Sequence, residues 1–207
     1  MGADGISVVI PAYNEEQSLG QIVGQALDFS DEVVVVDDGS TDQTAGVAQM
    51  AGARVLRQPH FGYISAIKKG FRHSTGRILV TMDADGEHLP FEIPHLVRPI
   101  VNGAADLVLG RRQSIARSSE RLISRLCRLR VPVYDSGTGF RAFRRSIALK
   151  MTFPGVCICG TSVLEAYALG ARLVEVPVTL GKTKKPRRIA WKHVFQLFYI
   201  GRMLLHP

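Results

Sequence analysis

The chain has 207 residues, 46% of them hydrophobic, which excludes a disordered polymer and fits one domain with a full core. Its apolar runs fall short of the roughly 20 residues that a spanning helix needs, and residues 1–16 enter a strand pattern without a charged leader region. Lysine and arginine outnumber acids 26 to 18, a net charge of +8, and the excess falls after residue 110, which suggests anionic partners: phosphates, an acidic membrane face or nucleic acid.

In chain order, ISVVIP (6–11) and EVVVVDD (32–38) are β-branched apolar runs followed by turn residues, and both predict buried strands. Between them NEEQSLGQIVGQALDF places Leu19, Ile22, Val23, Ala26 and Leu27 at helical spacing, with acids at its start. GSTDQTAGVAQMAG predicts a turn and a helix stopped at Gly52. ARVLRQ follows as a short strand, GYISAIKKGFRHSTG as a helix, and RILVTMD as the next strand. ADLVLG (105–110) adds a strand, SSERLISRLCRLR a basic amphipathic helix, TSVLEAYALG a helix and ARLVEVPVTL a last strand. AWKHVFQLFYIGRMLL ends the chain as a helix with a wide apolar face. Strands alternating with helices imply parallel βαβ units under right-handed crossovers. In such sheets ligands sit beyond the carboxyl ends of the strands, so PAYNE, DDGSTD and DADGEH would share one rim.

The stretch TMDADGEH (81–88) raises a physical question, because carboxylates set close together repel one another. Asp83 and Asp85 alternate on an extended segment and point to one side. Gly86 permits a turn that returns Glu87 toward them. Such a cluster is stable around a divalent cation, and hard oxygen donors suit Mg²⁺ or Mn²⁺. The other reading is a solvated loop with Asp83 capping the next turn. The three cysteines, Cys127, Cys157 and Cys159, have no framework spacing. Cys157-Ile-Cys159 lacks the partners of a zinc site, and His60, His73, His95, His193 and His206 show no ligand spacing. All three cysteines are expected to be thiols in a reducing compartment.

Four motifs in order, PAYNEE (11–16), VVVDDGSTDQT (34–44), RILVTMDADGEHLP (77–90) and DSGTGFRAFRR (135–145), resemble the family 2 glycosyltransferases. Within that family they look most like polyprenyl-phosphate sugar transferases of the dolichyl-phosphate mannose synthase type. The resemblance runs from about residue 6 to residue 185. It implies an α/β fold: a single GT-A, Rossmann-like domain with a mostly parallel sheet flanked by helices, over residues 1–188, followed by an amphipathic C-terminal helix over 189–207. It implies that Pro11, Ala12, Tyr13 and Glu15 line the nucleoside pocket and that Asp37 and Asp38 hold the base or ribose. Asp83, with Ala84 beside it, Asp85 and Glu87 would surround the Mg²⁺ or Mn²⁺ that bridges the donor diphosphate. Arg111 and Arg121 would grip the acceptor phosphate, and GKTK (181–184) would bring Lys182 and Lys184 to the diphosphate. Asp135 is expected to orient Arg141, to touch the acceptor or to form a plain ion pair. The sequence departs from the pattern at His60, where Asn is usual, at Val178, where an Arg is usual, and in the short segment between Arg111 and Arg121.

The implied activity is inverting transfer of a sugar from GDP-mannose or a UDP-sugar to a polyprenyl phosphate. A monoalkyl phosphate is ionised near neutral pH and needs orienting arginines rather than a base. The alternative is a hydroxyl acceptor on a glycan or soluble molecule, with Glu165 or Asp135 as general base. A nucleic-acid-binding module and a non-catalytic subunit are more remote readings; aromatic interleaving with the arginines is sparse, so no nucleic-acid partner is expected. His88 is read as a structural hydrogen bonder. The stretch KTKKPRRIAWKHVFQLFYIGRMLLHP is expected either to dock on the cytoplasmic membrane face or a membrane-spanning partner, or to pack on the sheet.

Overall fold

The computed structural model describes residues 5–115, 117–181 and 192–205. Strands β1 (Ile6–Ala12), β2 (Glu32–Asp37), β3 (Arg54–Arg57), β4 (Ile78–Thr81), β5 (Leu107–Arg112), β6 (Arg141–Arg144) and β7 (Leu173–Val178) form one sheet in the order β3-β2-β1-β4-β6-β5-β7. Every pairing is parallel except those of β6, which runs antiparallel to both β4 and β5. Because β6 reverses twice, β5 and β7 point the same way as β1, β2 and β4. The carboxyl ends of these strands therefore share one rim.

The strands read as unbroken apolar runs because both faces are covered. Val8 and Ile10 face a core with Val33, Val35, Val80 and the helices α1 (Leu19–Leu27) and α4 (Ile93–Val101). Val9 faces the opposite core with Val34, Val36, Leu79 and the helices α3 (Tyr63–His73), α5 (Ser118–Cys127) and α7 (Thr161–Ala168). Burying each such side chain contributes about 1.5–3 kcal/mol. The short helices α2 (Thr44–Met50) and α6 (Arg145–Ala148) complete the crossovers.

Two elements escape the apolar pattern. Strand β6 has two arginines in four residues, and α4 contains Pro94 and Pro99. The acids expected in the first turn of α1 lie before it. Asn14 takes a left-handed φ of 56°, and the Glu15 N–H donates to Thr44 Oγ1 at 2.8 Å, so the helix begins only at Leu19.

The last helix, α8 (Lys192–Leu205), packs against α5 and α7. His193, Gln196 and Ile200 are buried beneath it, whereas Val194 and Phe198 on its other side are about 70% exposed. None of the helices, among the described residues, is long and apolar enough to cross a membrane.

Candidate active site

At the end of β1, Pro11 and Ala12 are buried opposite Val36 and Asp37 of β2, so they set the floor of the crevice. Tyr13 follows, 44% exposed, with its ring 4.2 Å from that of His60 and tilted by 38°. The two loops are stitched together: Asn14 Oδ1 accepts the Thr41 N–H, and Glu16 accepts the Gln43 N–H at 2.8 Å. Glu15 lies at the start of this loop and accepts the Ser18 hydroxyl.

Asp37 and Asp38 are both 5% exposed and differ in what they do. Asp37 caps the turn after β2 by accepting the Ser40 N–H at 2.9 Å. Asp38 is occupied by the loop before α3: Gln58 Nε2 donates at 2.7 Å, the Phe61 N–H at 2.9 Å and the Gly62 N–H at 3.0 Å, and His60 Nδ1 lies 3.1 Å away. Asp38 thus fixes His60 and the start of α3.

The acidic turn leaves β4 directly. Thr81 donates its hydroxyl to Gly139 O, and the Asp83 N–H donates to His88 Nδ1 at 3.0 Å. Burial holds the His88 imidazole below its ordinary range against the opposing pull of Asp83. The ring is therefore neutral, accepts through Nδ1 and stacks on Phe140 at 5.1 Å, a structural role. Tyr63 donates its hydroxyl to Asp83 Oδ1 at 3.2 Å. Burial, then the nearby carboxylate, pushes that phenol well above its usual range, so it stays a donor. Asp85 accepts the Glu87 N–H, closing the turn at Gly86 (φ 80°), while Ser18 donates to Ala84 O at 2.8 Å. Asp83 and Asp85 are partly exposed and Glu87 is buried. A Cβ on Gly139 would stand 2.7 Å from Asp83 Oδ2, so the absence of a side chain there makes the carboxylate's cradle. Partly exposed hard-oxygen donors beside such a cradle fit Mg²⁺ or Mn²⁺. Among the described residues, the three acids do not converge on one point: the trio of ligand atoms that does is elsewhere, at Cys157, Cys159 and His193.

Beside this turn the chain folds back. Leu180 bridges to His88, and the Gly181 N–H donates to Glu87 O at 2.8 Å. Lys182 and Lys184 come next and lie outside the described residues, as does Trp191.

Further along the same rim, β5 ends in Arg111 and Arg112, and they part company. Arg112 is buried and donates to Asp135 at 2.7 and 2.8 Å and to Glu120 at 2.9 Å. Arg111 is exposed and lies over the Tyr134 ring at 5.9 Å, with Arg128 over the same ring at 4.8 Å. Arg111, Arg128, Tyr134, Gln113 and Pro177 line a cavity of about 330 Å³. Arg121 is exposed on α5, its guanidinium 3.5 Å from Ile115 O.

Of the roles open to Asp135, the structure shows the ion pair, made with Arg112 rather than Arg141; Asp135 is buried and, with Arg112, backs the same cavity. Arg141, also fully buried, donates to Thr138 O at 2.8 Å, Ser136 O at 2.9 Å, Ile158 O and Ser162, so it braces the core behind the site. Glu165 accepts the N–H groups of Thr152 and Phe153 and so fixes a loop. The sequence reading missed Tyr63, Gly139, Arg128 and Tyr134. Gly139 falls within DSGTGFRAFRR, whereas Tyr63, Arg128 and Tyr134 lie outside the four motifs and acquire meaning once the rim is assembled.

The glycosyl transferase family 2 model matches residues 7–163. An uncharacterised glycosyltransferase of Mycobacterium tuberculosis is 35% identical over 196 residues, 87% of each chain. The undecaprenyl-phosphate 4-deoxy-4-formamido-L-arabinose transferase of Edwardsiella ictaluri is 35% identical over 193 residues, 84% of this chain and 59% of that one. Its Shewanella sediminis counterpart is 33% identical over 72% of this chain and 50% of its own, so the chain spans about half the length of these transferases. Among solved structures, glucosyl-3-phosphoglycerate synthase of M. tuberculosis with phosphoglyceric acid aligns at a TM-score of 0.85 and 23% identity, covering 99% of this chain and 81% of that one. The same enzyme with Mn²⁺, UDP-glucose and phosphoglyceric acid aligns at 0.76 and 24% identity, covering 98% and 79%. At these identities the structural likeness concerns the fold, which is that of GT-A glycosyltransferases. Family match, relatives and a rim that gathers the acidic turns agree: the chain belongs to glycosyl transferase family 2 and is a glycosyltransferase.

Proposed function

We propose that this glycosyltransferase moves a sugar, with inversion, from a nucleoside diphosphate donor to a polyprenyl phosphate. The observation that carries the acceptor class is the pairing of Arg111 and Arg128 over Tyr134 in a cavity on the donor rim; of the carboxylates that could serve a hydroxyl acceptor as base, Asp135 backs that cavity but is held by Arg112, and Glu165 accepts backbone N–H groups of a loop. An acceptor that carries its own ionised phosphate oxygen needs orientation and charge pairing, and guanidinium groups supply both. The relatives named as undecaprenyl-phosphate transferases support the same reading.

In this reading Tyr13 and His60 flank the nucleoside, and Pro11, Ala12, Glu15 and Asp37 shape its pocket. Asp83 and Asp85 would hold Mg²⁺ or Mn²⁺, the ions named in the neighbouring structures, and Glu87 supports their turn. When bound, such an ion neutralises the charge that develops on the leaving diphosphate. Tyr63 and Gly139 keep Asp83 in place, and Lys182 and Lys184 add positive charge. Arg111, Arg121 and Arg128 receive the acceptor phosphate. Docking of α8 on the cytoplasmic face of a membrane, or on a membrane-spanning partner, brings the crevice to a lipid acceptor.

A second reading, transfer to a small phosphorylated acceptor, is favoured by the phosphoglyceric acid complexes of the neighbouring synthase. A transfer assay with GDP-mannose and a panel of UDP-sugars, each with short-chain prenyl phosphate or 3-phosphoglycerate and with or without Mn²⁺, separates the two. Product on the prenyl phosphate is expected. Product on phosphoglycerate alone overturns the lipid acceptor, and metal-independent transfer overturns the role of Asp83 and Asp85.

A further inference from the structure

Cys157 and Cys159 sit in the loop before α7, and His193 sits in the first turn of α8, far away in sequence. The fold brings them together: two sulfur atoms and one imidazole nitrogen lie within 4.8 Å of one another. All three residues are buried, at 7%, 9% and 1% exposure. Ser119 Oγ holds His193 Nδ1 at 2.8 Å, whereas Nε2 is buried and finds no hydrogen-bond partner among the described residues. A buried imidazole nitrogen without a partner is costly. A metal-ligating histidine typically bonds through its second nitrogen to an outer partner while the first faces the ion, and Ser119 occupies that outer place.

The loop is also preorganised. Gln196, one turn after His193, accepts the Val156 N–H at 3.0 Å and donates to Cys157 O at 2.8 Å and Cys159 O at 2.9 Å. Helix α8 thus presents one residue to the backbone of the cysteine loop and one to its sulfur atoms.

We propose that Cys157, Cys159 and His193 form a site for one Zn²⁺ ion, which fastens α8 to the catalytic domain. Thiolate and imidazole donors select zinc over Mg²⁺ or Mn²⁺, which take oxygen ligands. Zinc bonds of about 2.3 Å to sulfur and 2.0 Å to nitrogen require only a small contraction of the present trio. Binding releases the two thiol protons to solvent and leaves oxidation states unchanged. Among the described residues no other Cys, His, Asp or Glu joins the trio at that distance.

The site is tested on the full chain, purified reduced and without chelator, by elemental analysis and by Co²⁺ substitution. One zinc per chain is expected, together with a sulfur-to-cobalt charge-transfer band after exchange. Both should persist in Asp85→Ala, which separates this site from the acidic turn, and both should be lost in Cys159→Ser and His193→Gln. Stripping the metal should lower the melting temperature of the wild-type chain. Substoichiometric zinc after incubation with the metal, a cobalt spectrum without the thiolate band, or a Cys157–Cys159 disulfide in the freshly purified protein would each overturn the proposal. The wild-type cobalt spectrum decides even if a variant fails to fold.

Discussion

A methyl group on Gly139 would meet both oxygens of Asp83, at 2.7 and 3.1 Å, and the His88 ring at 3.1 Å. Gly139→Ala should therefore shift the carboxylate while leaving every charge in place. The affinity for Mn²⁺ in the presence of nucleoside diphosphate is expected to fall about 10- to 100-fold, the range for a lost outer-shell support; unchanged titration calorimetry would remove Asp83 from the metal site. Asp85→Ala, which removes a proposed ligand, should abolish transfer, whereas Glu87→Gln should keep part of it because the backbone N–H of residue 87 still closes the turn on Asp85. Radiolabelled sugar transfer checks both. On the acceptor side, Arg111→Ala and Arg128→Ala each lose a charge-assisted contact, so the acceptor KM should rise roughly ten- to a hundredfold with little change for the donor. An equal rise for the donor would place these guanidinium groups elsewhere.

At the scale of elements, α8 carries two stripes. His193, Gln196, Leu197, Ile200 and Leu204 face the domain, and Arg130 donates to Leu204 O. Val194, Phe198 and Leu205 face outward at 69%, 70% and 77% exposure. The inward stripe packs α8 on the domain, and the outward stripe is the face that the docking proposal uses. Removing it should unfold the domain. Val194→Ser with Phe198→Ser should leave the melting temperature unchanged and weaken flotation with anionic liposomes, since a phenylalanine in the headgroup boundary contributes roughly 1.5–3 kcal/mol of burial. If the double variant floats like the parent, membrane docking through this stripe is wrong.

For the whole molecule, the rim opposite the site is held by charge. Asp106, just before β5, accepts from Arg144 at 2.9 Å and from Arg172 at 2.9 and 3.1 Å, and so joins β6 and the α7–β7 connection to the α4–β5 loop. Hydrogen bonding from Arg172 holds its carboxyl well below the usual carboxylate range. A carboxyl with a lowered pKa in the folded state contributes stability above its unfolded value of about 3.9, and that contribution is lost as pH falls below it. Asp106→Asn should therefore melt earlier than the parent at pH 7, and the gap should close in acid below pH ~4. Thermal melts across pH measure this, and kcat should not change, because Asp106 lies on the far rim.

Local physics made much of this legible in the chain itself. The β-branched runs of β1, β2 and β4 and the turn residues after them predict buried parallel strands, and parallel strands place their following loops on one rim. That is enough to bring PAYNE, DDGSTD and DADGEH together and to mark Asp83 and Asp85. Strand β6 stayed hidden because its register is set by β4 and β5 rather than by its own alternation, with Arg141 turned into the core. The division of labour among charges was also decided only in three dimensions. Arg111 and Arg112 are neighbours of equal charge, yet one faces solvent over Tyr134 and the other is spent on Asp135 and Glu120. Strand alternation predicts that they diverge; which partner each meets depends on residues some twenty positions away. The same holds for Cys157, Cys159 and His193, whose spacing in the sequence carries no ligand signature. Their approach comes from α8 returning across α5 and α7, a packing choice made by the whole apolar core.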